Sequence, residues 1–317
     1  MILIVALNPA LDITHHVPGA DWSGVNRPTE VHARPGGKGL NVARTLRSIG
    51  AEVLVMGFTG GVTGEGVKSA LSELGVPTAF TPIAGQTRRT FAVVDAHRRD
   101  TALFNEPGPP VGPDEYAEFS VMYRNALAAS TAVVLSGSLP PGLSPDTYAE
   151  LSTMATVSGV PTVLDAHGDA LLRGAAARPS IVKPNLAELE ALAGRRLSTQ
   201  RGVDRRAVAV AAQELRAAGP QAVVVTLGAE GLWATTDDGD WLAVPPAQAV
   251  GNPTGAGDAV AAGLAHGLVL GRSWEERLRH AVALGTASIA APVAGEFQHA
   301  DYTQVLAEVT VNRAEAR

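Results

Sequence analysis

The chain has 317 residues, no cysteine, and a formal net charge of −6 from 25 Lys and Arg against 31 Asp and Glu. A chain of that length buries a large α/β core without covalent staples, and the lack of cysteine removes disulfides, thiolate metal sites and a thiol nucleophile. The acid excess argues against a broad nucleic-acid surface, and no apolar stretch approaches the ~20 residues a bilayer requires. The expectation is therefore a soluble, cytoplasmic protein with neither a nucleic-acid nor a membrane partner.

The apolar run Ile2–Leu7 predicts a buried strand, and Asn8-Pro9-Ala10-Leu11-Asp12 stands at its exit. Asp12 fits two roles, an acceptor for sugar hydroxyls in a half-dry cleft or an Asx turn at a strand end. Residues 12–34 are rich in Pro, Gly, His and Trp and show no helical period. Then Arg34-Pro35-Gly36-Gly37-Lys38-Gly39-Leu40-Asn41 makes a glycine turn opening a helix over Leu40–Ile49. Bare N–H groups plus the Lys38 ammonium suit a phosphate or a polyol edge, and a tight packing turn is the competing reading. The turn is not a Walker A loop, which needs Gly-x-x-x-x-Gly-Lys followed by Ser or Thr.

A strand at Val53–Phe58 and a helix at Gly66–Leu74 follow. Gln86–Asn105 alternates apolar and polar residues as a hairpin does, with its turn at His97–Asp100. Residues 12–34 and 86–105 together predict a small β lid on a main domain of 1–11, 35–85 and 106–317. A lid would keep water from a phosphoryl transfer, whereas an ordinary surface hairpin or a dimer edge explains the same pattern. Arg88 and Arg89 open the hairpin. An arginine reaching in from there can hold a phosphate bidentately, although strand-end arginines are commonly solvated.

Beyond a Pro- and Gly-rich hinge at Pro107–Pro113, a helix is predicted at Asp114–Ala128, a strand at Ala132–Ser136, a helix at Pro145–Val157 and strands at Thr162–Asp165 and Ile181–Lys183. Ser138, in the turn after the first of these strands, is placed to donate to a substrate phosphate. Lys183-Pro184-Asn185-Leu186-Ala187-Glu188 sets Asn185 and Glu188 three apart at a helix start. Their oxygens suit Mg²⁺, which takes few protein ligands plus waters and phosphates, and they suit a capping box equally well. A helix at Asp204–Ala217 and a strand at Ala222–Leu227 come next, with Thr226 and Gly228 as the floor of a nucleotide pocket. The eight histidines show no metal-ligand spacing.

Gly251-Asn252-Pro253-Thr254-Gly255-Ala256-Gly257-Asp258-Ala259 then leads into an apolar helix over Val260–Leu270. Unpaired N–H groups and the helix dipole make such a turn an anion site. A carboxylate beside an anion is costly, which points to Asp258 as a proton acceptor for an attacking hydroxyl; a simple N-cap is the alternative. Strand and helix alternate throughout, so the sheet is expected to be parallel, covered on both faces, with ligands at the carboxyl ends of its strands.

Gly36-Gly37-Lys38-Gly39-x-Asn41 early and Gly255-Ala256-Gly257-Asp258 late make the chain resemble, over essentially its whole length, the ribokinase-like superfamily of carbohydrate kinases, the PfkB family. Asn8-Pro9-Ala10-Leu11-Asp12, Thr87-Arg88, Asn105-Glu106-Pro107-Gly108, Gly137-Ser138-Leu139-Pro140 and Lys183-Pro184-Asn185 are similar to its sugar-phosphate branch. That branch includes 1-phosphofructokinase, tagatose-6-phosphate kinase and the minor 6-phosphofructokinase. The resemblance implies an α/β fold, a ribokinase-like three-layer sandwich with a mainly parallel central sheet and a small β lid.

By the same resemblance Asp258 is the base, and the amides of Gly255, Ala256 and Gly257 form the anion hole. Asp12, Gly37, Lys38 and Asn41 bind the sugar, with Arg88 and Ser138 on its existing phosphate. Lys183, Asn185, Thr226 and Gly228 serve ATP, and Glu188 with Asn185 holds Mg²⁺. The implied reaction is ATP-dependent phosphorylation of a ketohexose phosphate, fructose 1-phosphate to fructose 1,6-bisphosphate. Tagatose 6-phosphate and fructose 6-phosphate are the next substrates, then an unphosphorylated sugar or nucleoside, and a non-catalytic sugar-phosphate sensor comes last. A homodimer through the lid is also expected. Two departures bear on the substrate: Leu103 where the minor 6-phosphofructokinase is expected to carry an arginine, and Arg89-Thr90 in place of an Asn-containing pair; a third, Pro253-Thr254 before the anion hole, should leave the chemistry intact because the N–H donors are unchanged.

Overall fold

Along the first strand Ile2, Ile4 and Ala6 join one apolar cluster and Leu3 and Val5 another, and all five are buried. Alternate residues of a strand face opposite sides, so a strand buried on both needs a helical layer on each face. In the computed structural model, which describes residues 1–98, 100–200, 202–246, 249, 251–291 and 293–314, the crossover helices supply both layers.

The first part of the chain gives β1 (Ile2–Ala6), β2 (Ala10–Val17), β3 (Glu30–Gly36), α1 (Lys38–Ser48), β4 (Val53–Thr59), α2 (Gly61–Glu73), β5 (Thr78–Pro82), β6 (Arg88–Asp95) and β7 (Asp100–Asn105). The middle gives α3 (Pro113–Leu127), β8 (Ala132–Ser136), α4 (Thr147–Val157), β9 (Thr162–Asp165), α5 (Gly168–Ala176), β10 (Ile181–Val182), α6 (Leu186–Ala193), β11 (Ser198–Thr199) and β12 (Gly202–Val203). The last part gives α7 (Arg205–Ala217), β13 (Ala222–Thr226), β14 (Leu232–Thr236), β15 (Gly239–Val244), α8 (Ala256–Val269), α9 (Trp274–Ala290), α10 (His299–Glu308) and β16 (Thr310–Arg313).

Ten strands form the central sheet in the order β16-β15-β14-β13-β10-β9-β8-β1-β4-β5. From β13 to β5 the neighbours are parallel, and the β13–β16 edge is antiparallel. Leu40 and Leu46 of α1, Val260 and Leu264 of α8 and Leu278 and Val282 of α9 cover one face. Phe119 and Tyr123 of α3, Tyr148 and Leu151 of α4 and Val208 of α7 cover the other. The chain therefore folds as the expected three-layer, mainly parallel α/β sandwich.

Strand order reverses at β1: the chain proceeds to β4 and β5 on one side, then returns to β8 on the other and continues outward. Crevices outside the carboxyl ends of parallel strands open at such a reversal, so this topology alone places a ligand site beyond β1 and β8. A separate four-stranded sheet, β3-β2-β6-β7, stands over that end. Its β2 runs antiparallel to β3 and parallel to β6, and β6 and β7 form the hairpin expected within 86–105.

Candidate active site

A cleft of about 2000 Å³ opens between the carboxyl ends of the central strands and the second sheet. That volume is about twice the usual upper bound for one small-molecule site, room for two substrates side by side. Asp12, Gly37, Lys38, Asn41, Arg88, Ser138, Lys183, Asn185, Thr226, Gly255, Gly257 and Asp258 all line it. Three of the sequence-derived residues do not: Ala256, Glu188 and Gly228. Gly228 sits on the 3₁₀ turn Gly228–Glu230 just past β13.

Gly255 is the N-cap of α8, with φ +86 and ψ −6, a left-handed conformation that favours glycine. A methyl group there would also come 2.7 Å from the Ala294 Cβ. Among the described residues the amides of Gly255 and Gly257 have no hydrogen-bond acceptor, whereas Ala256 N–H closes a turn onto the Pro253 carbonyl at 3.2 Å. Of the three amides expected to form an anion hole, the two glycine amides are thus left without an acceptor among the described residues, because the turn that presents them takes up the amide between them. A Cβ on Gly257 would lie 3.6 Å from Lys183 Nζ, so an ammonium stands beside these donors.

Asp258, in the first turn of α8, is only 6 % exposed and accepts a hydrogen bond from Asn41 Nδ2 at 2.8 Å. Burial and the nearby Asp165 carboxylate push its carboxyl up to about 7, against the lowering pull of the Asn41 bond and of Lys38 and Lys183. An acceptor of that strength is matched to proton transfer near neutral pH.

Asp165, at the end of β9 and fully buried, holds both lysines: its Oδ1 lies 3.1 Å from Lys38 Nζ and 3.3 Å from Lys183 Nζ. Its Oδ2 is buried without a partner among the described residues. Burial pulls the Lys38 ammonium down, but Asp165, Glu188 and Asp258 outweigh it and hold that group above the usual lysine range. One buried carboxylate between two ammoniums fixes both cations at the cleft, with Glu188 and Asp258 close by.

On the lid side, Asp12 of β2 accepts from Thr90 Oγ1 of β6 at 2.5 Å. Arg88, at the start of β6, donates to the carbonyls of Asn8 at 3.0 Å and Glu106 at 3.2 Å. No carboxylate lies within ion-pair distance of Arg88 among the described residues. Burial pulls its guanidinium below the usual range, partly offset by Asp12 and Glu106. Asn8 Nδ2 donates to Ser138 Oγ at 3.1 Å and to the Pro107 carbonyl at 3.0 Å, tying the ends of β1, β8 and the lid hinge together. Arg89 is committed elsewhere, paired with Glu106 at 3.0 Å.

At the nucleotide end, Thr226 bridges to Asn185 in parallel fashion. Asn185 caps α6: its Oδ1 accepts from Glu188 N–H, and Glu188 Oε2 accepts from Asn185 N–H, each at 2.8 Å. The capping box is therefore realised. Glu188 Oε1 remains outside it, 3.7 Å from Lys38 Nζ. That oxygen already faces the Lys38 ammonium, so a divalent ion bound there would share it with Lys38. Among the described residues no group of three His, Asp or Glu is assembled that could hold a metal by itself.

Sequence reasoning passed over Asp165, Asn8, Thr90 and Arg44. Asp165 and Asn8 each stand at or just past the end of a strand that was recognised, and that position was the available signal.

The pfkB family carbohydrate kinase model matches residues 6–300. The chain is 35% identical over 290 residues to 1-phosphofructokinase of Escherichia coli (strain K12), covering 91% of this chain and 90% of the relative. Among solved structures it is similar to phosphofructokinase-2 of Escherichia coli, both in complex with fructose-6-phosphate and as a tetrameric inhibited form. In each case the TM-score is 0.86 at 30% identity, covering 96% of this chain and 98% of that one. With two glycine amides, two lysines and a buried carboxylate converging at the reversal of a parallel sheet, and with these relatives, the chain belongs to the pfkB family of carbohydrate kinases, enzymes that transfer phosphate to a sugar hydroxyl.

Proposed function

We propose that the protein is a sugar-phosphate kinase that uses ATP to convert fructose 1-phosphate to fructose 1,6-bisphosphate. The observation that carries the reading is Arg88, a half-buried lid guanidinium that among the described residues bonds to carbonyls and has no ion-paired carboxylate, lining the same cleft as Ser138. A half-buried cation with no carboxylate paired to it is available to a ligand, and a substrate's own phosphate supplies the match. Leu103, on β7, lines the cleft where a second lid cation would be expected for fructose 6-phosphate, which supports the 1-phosphate. The 35% identity to a 1-phosphofructokinase points the same way.

In this reading Asp12, Gly37, Lys38 and Asn41 hold the sugar and present its 6-hydroxyl to Asp258. Asp258 takes the hydroxyl proton as the oxygen bonds to the terminal phosphorus of ATP, and the bond from that phosphorus to the bridging oxygen breaks, releasing ADP. The Gly255 and Gly257 amides and Lys183 meet the charge on the moving phosphoryl group, in keeping with a reaction that asks mainly for positioning and electrostatics. Lys183, Asn185, Thr226 and Gly228 serve the nucleotide. Glu188, with Asn185, would hold Mg²⁺, which when bound neutralises phosphate charge. The protein acts as a homodimer through its lid.

ADP release is the test, measured with fructose 1-phosphate, fructose 6-phosphate, tagatose 6-phosphate and free fructose. Fructose 1-phosphate is expected to show the highest kcat/KM. Arg88→Ala should raise KM for the phosphorylated sugar roughly 10- to 100-fold, the usual worth of a hydrogen bond to a charged group, with little change for free fructose. Free fructose turned over as well as its phosphates, or equal losses for both in the variant, would overturn the assignment.

A further inference from the structure

We infer that Arg44 is a positioning residue that fixes the orientation of the Asn41 amide and, through it, keeps Asp258 in its proton-accepting form. The inference rests on Asp258 acting as the base in the reading above, and it is independent of which sugar is bound.

Arg44 lies one helical turn after Asn41 on α1 and is 7 % exposed. Its Nη2 donates to Asn41 Oδ1 at 3.0 Å and to the Ala294 carbonyl, in the turn that follows α9. A guanidinium only donates, so the Asn41 atom that faces it has to be the oxygen. That leaves Nδ2 facing Asp258 Oδ2, at 2.8 Å. An N–H donated to a carboxylate favours the ionised form. With the amide reversed, its oxygen would face Asp258, and only a protonated carboxyl could bond to it. Arg44 therefore excludes the arrangement in which the base is already occupied by a proton.

Its placement looks built for this job. At Gly295 (φ +77) an added Cβ would come 2.8 Å from Arg44 Nη2 and 2.9 Å from Nε, so the turn leaves room for the guanidinium only because it lacks a side chain. The same turn packs on the anion hole, since a methyl on Gly255 would meet Ala294. One cation thus connects the base, its amide partner and the backbone behind the glycine donors. Among the described residues Arg44 Nε is buried without a partner, so the hydrogen bonds that place the guanidinium are those of Nη2. The charged groups facing Asp258 are Lys38 from α1, Asp165 from the end of β9 and Lys183 from the segment after β10, with Arg44 itself behind Asn41. Those facing Arg44 are Asp12 and Arg34 from the lid sheet, Glu296 from the turn after α9, and Asp258.

The test is the pH profile of kcat/KM from about pH 5.5 to 9 for the full-length enzyme and for Arg44→Ala, Arg44→Lys, Gly295→Ala, Asn41→Ala and the Asn41→Ala/Arg44→Ala pair. Loss of the amide's orientation should move the acid limb up by about one pH unit, the equivalent of one charge-assisted hydrogen bond. Arg44→Ala then loses roughly tenfold at pH 6 while approaching the wild-type value at pH 9. Arg44→Lys should recover part of the shift, and Gly295→Ala should reproduce it with Arg44 still present. On the Asn41→Ala background, removing Arg44 should add no further movement of the limb. A uniform loss at every pH with the limb unmoved would overturn the positioning role and leave Arg44 a packing residue. If instead Asp258→Asn retained the wild-type acid limb, the base assignment itself would fall, so the two failures are distinguishable.

Discussion

Two carboxyls share one cluster of ammoniums in the cleft, and their partners separate their roles. Asp165 is bracketed by Lys38 and Lys183 through one oxygen, whereas the hydrogen bond to Asp258 comes from the neutral amide of Asn41. An acid with cations on it is committed to them; an acid facing an amide and raised to about 7 is available to take a proton. Because only the ionised form accepts, kcat/KM should fall as pH drops through about 7 and level off above it, with the limb belonging to Asp258. Asp258→Asn should keep ATP affinity, lower kcat by about 10²–10⁴-fold and flatten that limb. Near-normal turnover would remove Asp258 from the chemistry. Asp258 was legible in the sequence because a glycine turn advertises its backbone, and Lys38 for the same reason, whereas Asn41 gained a role only through the family resemblance and its bond to Asp258 was not foreseen. Asp165 and Arg44 were not, because their meaning lies in partners elsewhere: Lys38 meets Asp165 across 127 residues, and Arg44 reaches the Ala294 carbonyl across 250. A lone acid at a strand end carries no local mark of the two lysines that will converge on it.

Elements show a similar division. Strands made of β-branched runs were legible nearly to the residue, since Ala132–Ser136 and Thr162–Asp165 fall where expected, whereas β5 and β14 to β16, at the two ends of the central sheet, were missed; β5 ends in proline and lacks a β-branched run. Helix α2 begins at Gly61 instead of Gly66 because the glycines of its first turn weaken the helical pattern. The 17-residue α9 was passed over although Ser273 and Glu276 form a capping box at its start, the sort of signal that sequence reading can use. The cap of α6 poses a sharper question, because under the proposed function Asn185 and Glu188 would serve ligand as well as helix. Asn185→Ala removes the acceptor for Glu188 N–H and should destabilise the fold by about 1 kcal/mol in denaturant titration. Glu188→Gln keeps an oxygen for Asn185 N–H, so stability should change by less than ~0.5 kcal/mol, while the Mg²⁺ concentration for half-maximal rate rises several-fold. An unchanged Mg²⁺ dependence in Glu188→Gln would reduce that carboxylate to its capping role.

For the molecule as a whole, the reversal of strand order at β1 fixes where the cleft opens, and the four-stranded sheet β3-β2-β6-β7 lines its other side. The lid is a four-stranded sheet with two free edges, β3 and β7. Arg34 of β3 pairs with Glu296 at 2.9 Å, which ties the lid to the turn behind the anion hole. It also exposes large apolar side chains that do not line the cleft, Trp22 at 61 %, Val31 at 55 % and Phe104 at 49 %, with the Trp22 and Phe104 rings 6.0 Å apart. Unpaired edges and a clustered apolar surface are both costly in water and are relieved when a second copy covers them. That arrangement is the ground for the proposed lid-to-lid dimer; the phosphofructokinase-2 of Escherichia coli has been solved in a tetrameric form. Light scattering on the purified protein should give twice 32.6 kDa, and Val31→Glu combined with Phe104→Glu should shift it towards one chain. Since Arg88 and Asp12 belong to the same sheet, loosening the lid should raise KM for the sugar phosphate more than KM for ATP. A single-chain mass for the wild type at micromolar concentration, or a dimer indifferent to both charges, would place the lid's apolar face outside any interface between copies and leave its closure a matter for each subunit alone.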